Sequence, residues 1–275
     1  MMRMAVPYTA LWHRLLSREM VVRTYRISSR KLTSPLNFVL VTDLHGIRYG
    51  EGQGILLDAV KRCSPDLVLF AGDIVENGMP FGGVKDLFSQ VTSLAPCFYV
   101  TGNHEFQTGR VPVLKRWLRE SGIRVLDGCV ETVRVKGQQI QAGGVDDPHR
   151  FTRSPHAVRL RDGWKKQLAG CGKRLDPALY SILLTHRPEP VRYYRKTGFD
   201  LVVAGHAHGG QVRIPGICNG LFAPHQGFFP RYAGGCYRLG AATLVVSRGL
   251  CLNRLPRIFN PPELVCIRVE PESGI

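Results

Sequence analysis

Asn37-Phe38-Val39-Leu40-Val41-Thr42-Asp43-Leu44-His45 is a short apolar run that ends on a carboxylate and an imidazole two residues apart. A run with no polar alternation reads as a strand buried on both faces, since a half-exposed strand alternates. The same plan recurs down the chain. Leu67 to Ala71 ends on Gly72-Asp73, Phe98 to Thr101 on Gly102-Asn103-His104-Glu105, Ser181 to Thr185 on His186, and Leu201 to Ala204 on Gly205-His206-Ala207-His208. One aspartate after one strand is ordinarily a turn residue or a helix cap. Five such endings in order point to a shared site beyond the carboxyl ends of the strands, where open α/β sheets bind their ligands.

Between the first three runs the spacing turns helical: Ile55, Leu56, Ala59, Val60 and Cys63; Val84, Leu87, Phe88 and Val91; Val113, Leu114, Trp117 and Leu118. Pro112 suits a first helical turn and Gly122 a stop. Strand alternating with helix predicts βαβ units, right-handed crossovers and a parallel sheet. Gln139 to Gly143, Ala242 to Ser247 and Leu264 to Val269 are further strand candidates. The expectation is an α/β fold in which a second sheet packs on the first with helices outside, a four-layer α/β/β/α sandwich. Both halves supply the site, so residues 37–275 read as one domain, with 1–36 a basic N-terminal segment that packs on it or leads into it.

With 44% hydrophobic and 21% charged residues, the chain of 275 is neither disordered nor membrane-spanning in composition. It has no stretch of the ~18 apolar residues that a transmembrane helix needs. Met4 to Trp12 is interrupted by Pro7, Tyr8 and Thr9 and closed by His13 and Arg14, so it is expected to remain on the protein rather than to be a signal-peptide core. Tyr8 to Val22 fits a basic amphipathic helix, on a membrane surface or packed along the domain. Eight scattered cysteines with no Cys-x-x-Cys pair predict free thiols in a reducing, cytoplasmic compartment. Of the net charge of +16, residues 1–35 supply +6 and residues 148–175 supply +7. Such clusters suit an anionic partner, whether phosphorylated substrate, anionic membrane surface or nucleic acid, and equally a solvated basic face.

The candidate metal ligands are Asp43, His45, Asp73, Asn103, His186, His206 and His208. Oxygen and imidazole donors without thiolate favour borderline divalent ions, manganese first, with iron, zinc or cobalt as alternatives. Seven ligands exceed the needs of one ion. Two ions about 3.5–4 Å apart, bridged by one carboxylate, use them all and leave room for a bridging water. Such a centre makes hydroxide available near neutral pH and holds phosphoryl oxygens for in-line attack, which predicts a hydrolase of phosphodiester or pyrophosphate bonds. His104 adjoins a ligand without being counted as one, and is the candidate to protonate the leaving oxygen or, alternatively, to orient Asp43 or Asp73. Glu105 is expected to support the turn. Arg187 fits either a bidentate phosphate contact or a structural ion pair. His149 and His225 are pocket candidates with no motif behind them.

At these residues the chain resembles the calcineurin-like metallophosphoesterase superfamily, whose motifs Asp-x-His, Gly-Asp, Gly-Asn-His-(Asp/Glu), His and Gly-His-x-His run in the same order from about Asn37 onward. The resemblance implies the four-layer fold, one metal held by Asp43, His45, Asp73 and His208, a second held by Asp73, Asn103, His186 and His206, and the acid role for His104. Leu183-Leu184-Thr185-His186-Arg187-Pro188-Glu189, Gly205-His206-Ala207-His208-Gly209-Gly210-Gln211, and Ser247-Arg248-Gly249-Leu250 with Asn260-Pro261-Pro262-Glu263 look like a bacterial single-domain branch. That branch includes membrane-associated phosphodiesterases and one type of UDP-2,3-diacylglucosamine pyrophosphohydrolase. Cys251 stands where that branch is expected to have glycine, and residues 1–36 are not expected to be the twin-arginine signal or membrane anchor that many members carry.

The ester itself is read from weaker signals. Ile217 to Tyr232 holds Leu221, Phe222, Phe228, Phe229 and Tyr232, with Arg213 and Arg231 flanking the apolar residues. This aromatic loop suits an acyl chain or a bilayer surface, or else closes the second sheet. A lipid or nucleotide-sugar lipid precursor is therefore the expected substrate. A nuclease is the alternative that the charge permits, although no basic stretch is interleaved with stacking aromatics. A non-catalytic scaffold is the other, and it would be expected to have lost ligands.

Overall fold

Apolar runs without alternation have to bury both faces, and here they do so in two six-stranded sheets stacked face to face. The computed structural model describes residues 18–76, 82–152, 162–252 and 257–272. In chain order the strands are β1 (Val21–Ser29), β2 (Leu36–Val41), β3 (Leu67–Ala71), β4 (Cys97–Val100), β5 (Arg124–Val125), β6 (Cys129–Val135), β7 (Gln138–Gly144), β8 (Tyr180–Leu184), β9 (Leu201–Ala204), β10 (Phe222–Ala223), β11 (Gly227–Phe228), β12 (Gly235–Leu239), β13 (Ala242–Val246) and β14 (Glu263–Pro271). The helices are α1 (Gly54–Arg62), α2 (Gly82–Val91), α3 (Asn103–Gln107), α4 (Val111–Glu120), α5 (Asp162–Gly172) and α6 (Val191–Tyr194).

The first sheet is ordered β1-β14-β2-β3-β4-β5, with β2 to β5 parallel, β14 antiparallel to β2, and β1 parallel to β14. The second is ordered β12-β13-β9-β8-β7-β6, a parallel centre with an antiparallel strand at each edge. Successive residues of each strand go to different layers. Phe38, Leu40, Leu69 and Phe98 of the first sheet meet Ile182 and Val203 of the second in the central core. Their neighbours Val39, Val68, Phe70 and Tyr99 turn outward onto Leu56 of α1, Phe88 of α2 and Leu118 of α4. On the far side Leu183, Val202 and Leu244 pack against Trp164 and Leu168 of α5 and Tyr194 of α6. The order of layers is α/β/β/α, as expected.

Every run expected to be a strand is one, with ends shifted by up to two residues. The strands β1, β6 and β12 and the helix α5 were not expected. In β1 the half-buried Tyr25 and Ile27 alternate with exposed Arg26 and Ser28, the pattern of an edge strand rather than a central one. Val21 and Val22 open this strand instead of ending an amphipathic helix, and Tyr8 to Ser17 lie outside the described residues.

Charge in the basic clusters is partly spent inside the protein. Arg26 pairs with Glu270 at 3.3 Å, Arg30 with Glu272 at 2.6 Å, and Lys31 with Asp200 at 2.9 Å. Within 148–175, Arg150 pairs with Asp146 and Lys165 with Asp162, while Trp164, Leu168 and Cys171 turn α5 toward the core. The aromatic loop does not close the second sheet. Tyr232 is buried, but Phe222, Phe228 and Phe229 project from the small β10–β11 hairpin. All eight cysteines are free. No helix among the described residues is long and apolar enough to cross a membrane.

Phe98 is fully buried in the layer between the sheets. Phe98→Ala is expected to cost about 3–5 kcal/mol, because the two rigid sheets cannot close over the cavity. A urea titration reads this as a lower midpoint with an unchanged slope, and a loss below about 1 kcal/mol would contradict a tightly packed central layer.

Candidate metal centre

The carboxyl ends of β2, β3, β4, β8 and β9 reach one edge of the sandwich, and backbone bonds splice their turns together. Asp43 N donates to Gly72 O and His45 N to Asp73 O, both at 3.0 Å, while Gly205 N donates to His186 O at 3.0 Å. His206 N then donates to the Asp43 carboxylate, 3.1 Å from each oxygen, which ties the second sheet to the first. Such approach requires glycine, as Gly205 and Gly102 show. A Cβ at Gly205 would overlap Thr42 Oγ1 and Asp43 Oδ2, and one at Gly102 would overlap the Asp73 carboxylate.

Five of the seven candidate ligands hold the left-handed backbone conformation that L side chains avoid: Asp43, His45, Asp73, His206 and His208, with φ between 47° and 67°. Each costs on the order of 1 kcal/mol or more. The strain persists because neighbouring groups leave no alternative. Glu105, fully buried at the third position of α3, accepts from Asp73 N, Ile74 N, Val75 N, Gly102 N and Tyr99 Oη at 2.7–3.1 Å. It holds the turn, as expected, and does not face the chemistry.

The donor atoms converge on Asp73. Its Oδ1 accepts from His104 N at 2.8 Å, while Oδ2 is buried with no hydrogen-bond partner, 3.1 Å from His186 Nε2 and 3.9 Å from His45 Nε2. His45 Nε2 and Asn103 Oδ1 are likewise buried without partners. Leaving such atoms unpaired costs about 1–3 kcal/mol each unless something else binds them. Two donors about 2.1 Å from one cation stand roughly 3 Å apart, so these spacings fit a shared ion. The tautomers agree. His186 Nδ1 lies 2.8 Å from Ala71 O, which accepts its N–H and turns Nε2 toward Asp73. His206 Nδ1 lies 3.1 Å from His186 Nε2, and His208 Nε2 lies 3.7 Å from Asp43 Oδ1. Three sets of donor atoms fall within 4.8 Å of one another: Asp73, His186 and His206; His45, Asp73 and His104; and His45, His208 and Cys251.

Burial keeps three of the imidazoles neutral and ready to donate a lone pair. It lowers His45 to about 4 and His208 to about 3, and puts His206 well below its ordinary value with help from His186 and Arg187. Burial would raise Asp73, yet His186, His45 and His104 outweigh it and hold the carboxyl well below the usual range. His186 answers in the other direction: burial opposes its charge, but Asp73 raises it to about 10. A cation at this point would take the place of that proton.

His104 sits beside this group, its ring edge-on to His45 at 4.6 Å and its Nδ1 3.7 Å from Glu76. Glu76 also lies 3.7 Å from His45 Nδ1. Sequence reasoning missed Glu76, although its position three residues after Asp73 offered a signal. It also left His225 outside the site, and the structure brings His225 Nδ1 to 2.9 Å from His206 Nε2. Cys251, noted only as a departure from glycine, places Sγ 2.8 Å from His208 Nδ1. Arg187 proves to be the structural pair, bidentate on the buried Asp147 at 2.7 and 2.9 Å. His149 stacks on Phe106 with centroids 6.3 Å apart.

The family described as calcineurin-like phosphoesterase matches residues 36–210. The uncharacterized metallophosphoesterase YkuE of Bacillus subtilis is 29% identical over 74% of this chain and 68% of its own length. The phosphodiesterase YaeI of Escherichia coli is 25% identical over 79% of this chain and 76% of its own. A dimetal phosphatase from Danio rerio superposes with a TM-score of 0.50 at 14% identity, covering 78% of this chain and 88% of that one, a likeness of fold.

Neutral burial of His45 and His208 has a pH signature in metal-stripped protein. Between their folded values of about 4 and about 3 and the ordinary 6.5, the unfolded chain takes up protons that the folded one refuses. Their contribution to stability therefore falls as pH falls through this window. His186, raised to about 10, and Glu189, raised to about 7 by burial, act with the opposite sign, so the contrast needed is with a variant. The stability of wild type minus that of His45→Gln/His208→Gln is expected to shrink from pH 7 to pH 4.5 in chelator-treated samples. A pH-independent difference would show that these imidazoles are not held neutral by burial.

Proposed function

The chain belongs to the calcineurin-like phosphoesterase family, and on that premise we propose that it hydrolyses a phosphodiester or pyrophosphate bond with two divalent ions, manganese first among them. The observation that carries this reading is the convergence of the buried, unpartnered Asp73 Oδ2 and His45 Nε2 within one cluster of imidazoles, with Asn103 Oδ1 likewise buried and unpartnered. We put one ion against Asp43, His45, Asp73 and His208 and the other against Asp73, Asn103, His186 and His206, with Asp73 shared. Bound there, the ions supply Lewis-acid polarisation of phosphoryl oxygens and a water acidified toward neutral pH.

The side chains around them do the remainder. His104 carries a proton to the leaving oxygen: its backbone N–H is fixed on Asp73 Oδ1 and its Nδ1 side faces Glu76, which leaves Nε2 to meet the departing group. Glu76, 3.7 Å from that Nδ1, orients the imidazole. His225 and Cys251 hold the outer nitrogens of His206 and His208 and so fix which nitrogen of each ring donates. We take the ester to belong to a lipid or nucleotide-sugar lipid precursor, because exposed aromatic side chains of the β10–β11 hairpin stand next to the site. Eight free thiols support a cytoplasmic setting, at the inner face of the membrane.

With Mn²⁺, purified protein is expected to hydrolyse bis(p-nitrophenyl) phosphate, and Asp73→Ala or His206→Ala to reduce turnover to background. His104→Ala is expected to slow release of an alkoxide by about 10²–10⁴. It should slow release of p-nitrophenolate, which departs unprotonated, far less. Equal losses for both leaving groups would remove His104 from the acid role.

A further inference from the structure

The hairpin that reaches the metal centre with one residue turns its apolar side chains to solvent with others. His225 lies between β10 and β11, in contact with His206, and Phe222 and Phe228 stand three residues to either side of it. Three residues of chain span at most about 11 Å, so both rings are anchored close to the centre. Exposure is 45% at Phe222, 72% at Phe228, 68% at Phe229 and 81% at Ile217. With Ile214, these make five of the eight exposed large hydrophobic residues described, gathered within sixteen positions. Scattered exposed hydrophobic residues are ordinary, whereas a gathered set marks a surface that meets something.

Charge says what that something is. Residues 201–262 contain six arginines and no aspartate or glutamate. Arg213 and Arg231 flank the apolar side chains, and among the described residues neither forms an ion pair; Arg231 lies over the Tyr232 ring at 5.6 Å. In contrast, Arg26, Arg30 and Lys31 of the N-terminal basic cluster are satisfied within the protein. Arg248 and Arg257 of this stretch are buried, but aromatic rings projecting between Arg213 and Arg231, from a stretch of chain without carboxylates, match a bilayer interface, with apolar tips at the acyl boundary and guanidinium groups at anionic phosphates.

We propose that the β10–β11 hairpin, through Phe222, Phe228 and Phe229 with Arg213 and Arg231, docks the protein on an anionic phospholipid bilayer. Docking there brings the metal centre to the headgroup layer, since His225 and the aromatic residues share one short hairpin. The inference deepens the proposed hydrolysis of a lipid phosphoester and rests on that reading for its purpose, but its test is independent of turnover.

Full-length protein is mixed with phosphatidylglycerol or phosphatidylcholine vesicles at low and high salt and sedimented, and the soluble diester assay is run on the same samples. Wild type is expected to pellet with phosphatidylglycerol vesicles, less so as salt rises, and weakly with phosphatidylcholine. Phe228→Ser/Phe229→Ser is expected to weaken vesicle binding by about tenfold or more while soluble-diester turnover is unchanged. Equal pelleting of the variant and wild type, or no pelleting of wild type, overturns the proposal. Wild type that pellets as expected yet shows no turnover of any diester overturns the hydrolase reading and leaves the docking surface standing.

Discussion

Asp73 Oδ2 is a carboxylate oxygen with no hydrogen donor, fully enclosed, with imidazole nitrogens from both sheets approaching to 3.1 and 3.9 Å. A carboxylate in such a place is costly to bury unless charge faces it, and His186, His45 and His104 supply that here. Most of the local structure is what is needed to keep it there. The five left-handed candidate ligands, the glycines without room for a Cβ and the His206–Asp43 bond each force donor atoms toward a point that the chain by itself does not favour. Three apolar layers supply the stability that offsets this, and their continuity across β2, β3, β4, β8 and β9 leaves the strand ends no freedom to relax.

Glu105 shows how strain of this kind is held. Its carboxylate gathers five donors, three of them backbone N–H groups of the turn after β3 and one from the residue that caps α3. Burial and the nearby Asp73 raise its pKa, and those bonds work against the rise. Removing them would release Asp73 from its position without touching any candidate ligand. A residue can therefore be indispensable to a centre while lying entirely outside it, which is why Glu105 adjoins His104 in sequence yet points the opposite way.

The central strands and the seven candidate ligands were legible because two signals coincided: continuous apolar runs, which report burial on both faces, and polar residues immediately after them. Where burial is one-sided the first signal fades. Edge strand β1, with Tyr25 and Ile27 set between arginines and hydroxyls, looked like a basic leader, and β12 gave no apolar run at all. Partners that meet the site through tertiary contact were invisible for another reason. His225 reaches His206 across a hairpin, and Cys251 reaches His208 across 43 residues, so neither has a spacing that a sequence could display. Arg187 illustrates the converse, since its position next to a ligand suggested substrate while the decisive fact was the depth of Asp147.

This division has a consequence for how the two halves of the site divide their work. The candidate ligands from the first sheet are braced by backbone and by Glu105, deep in the protein. Of those from the second sheet, His186 is braced by Ala71 O, while His206 and His208 are braced on their outer nitrogens by His225 and Cys251, which come from the stretch between β9 and β14. That stretch carries the arginines without carboxylates and the projecting aromatic rings. An imidazole donates to a cation in proportion to how its other nitrogen is held. His225 therefore joins the outward-facing hairpin to a candidate ligand, whereas Asp73 is enclosed in the protein.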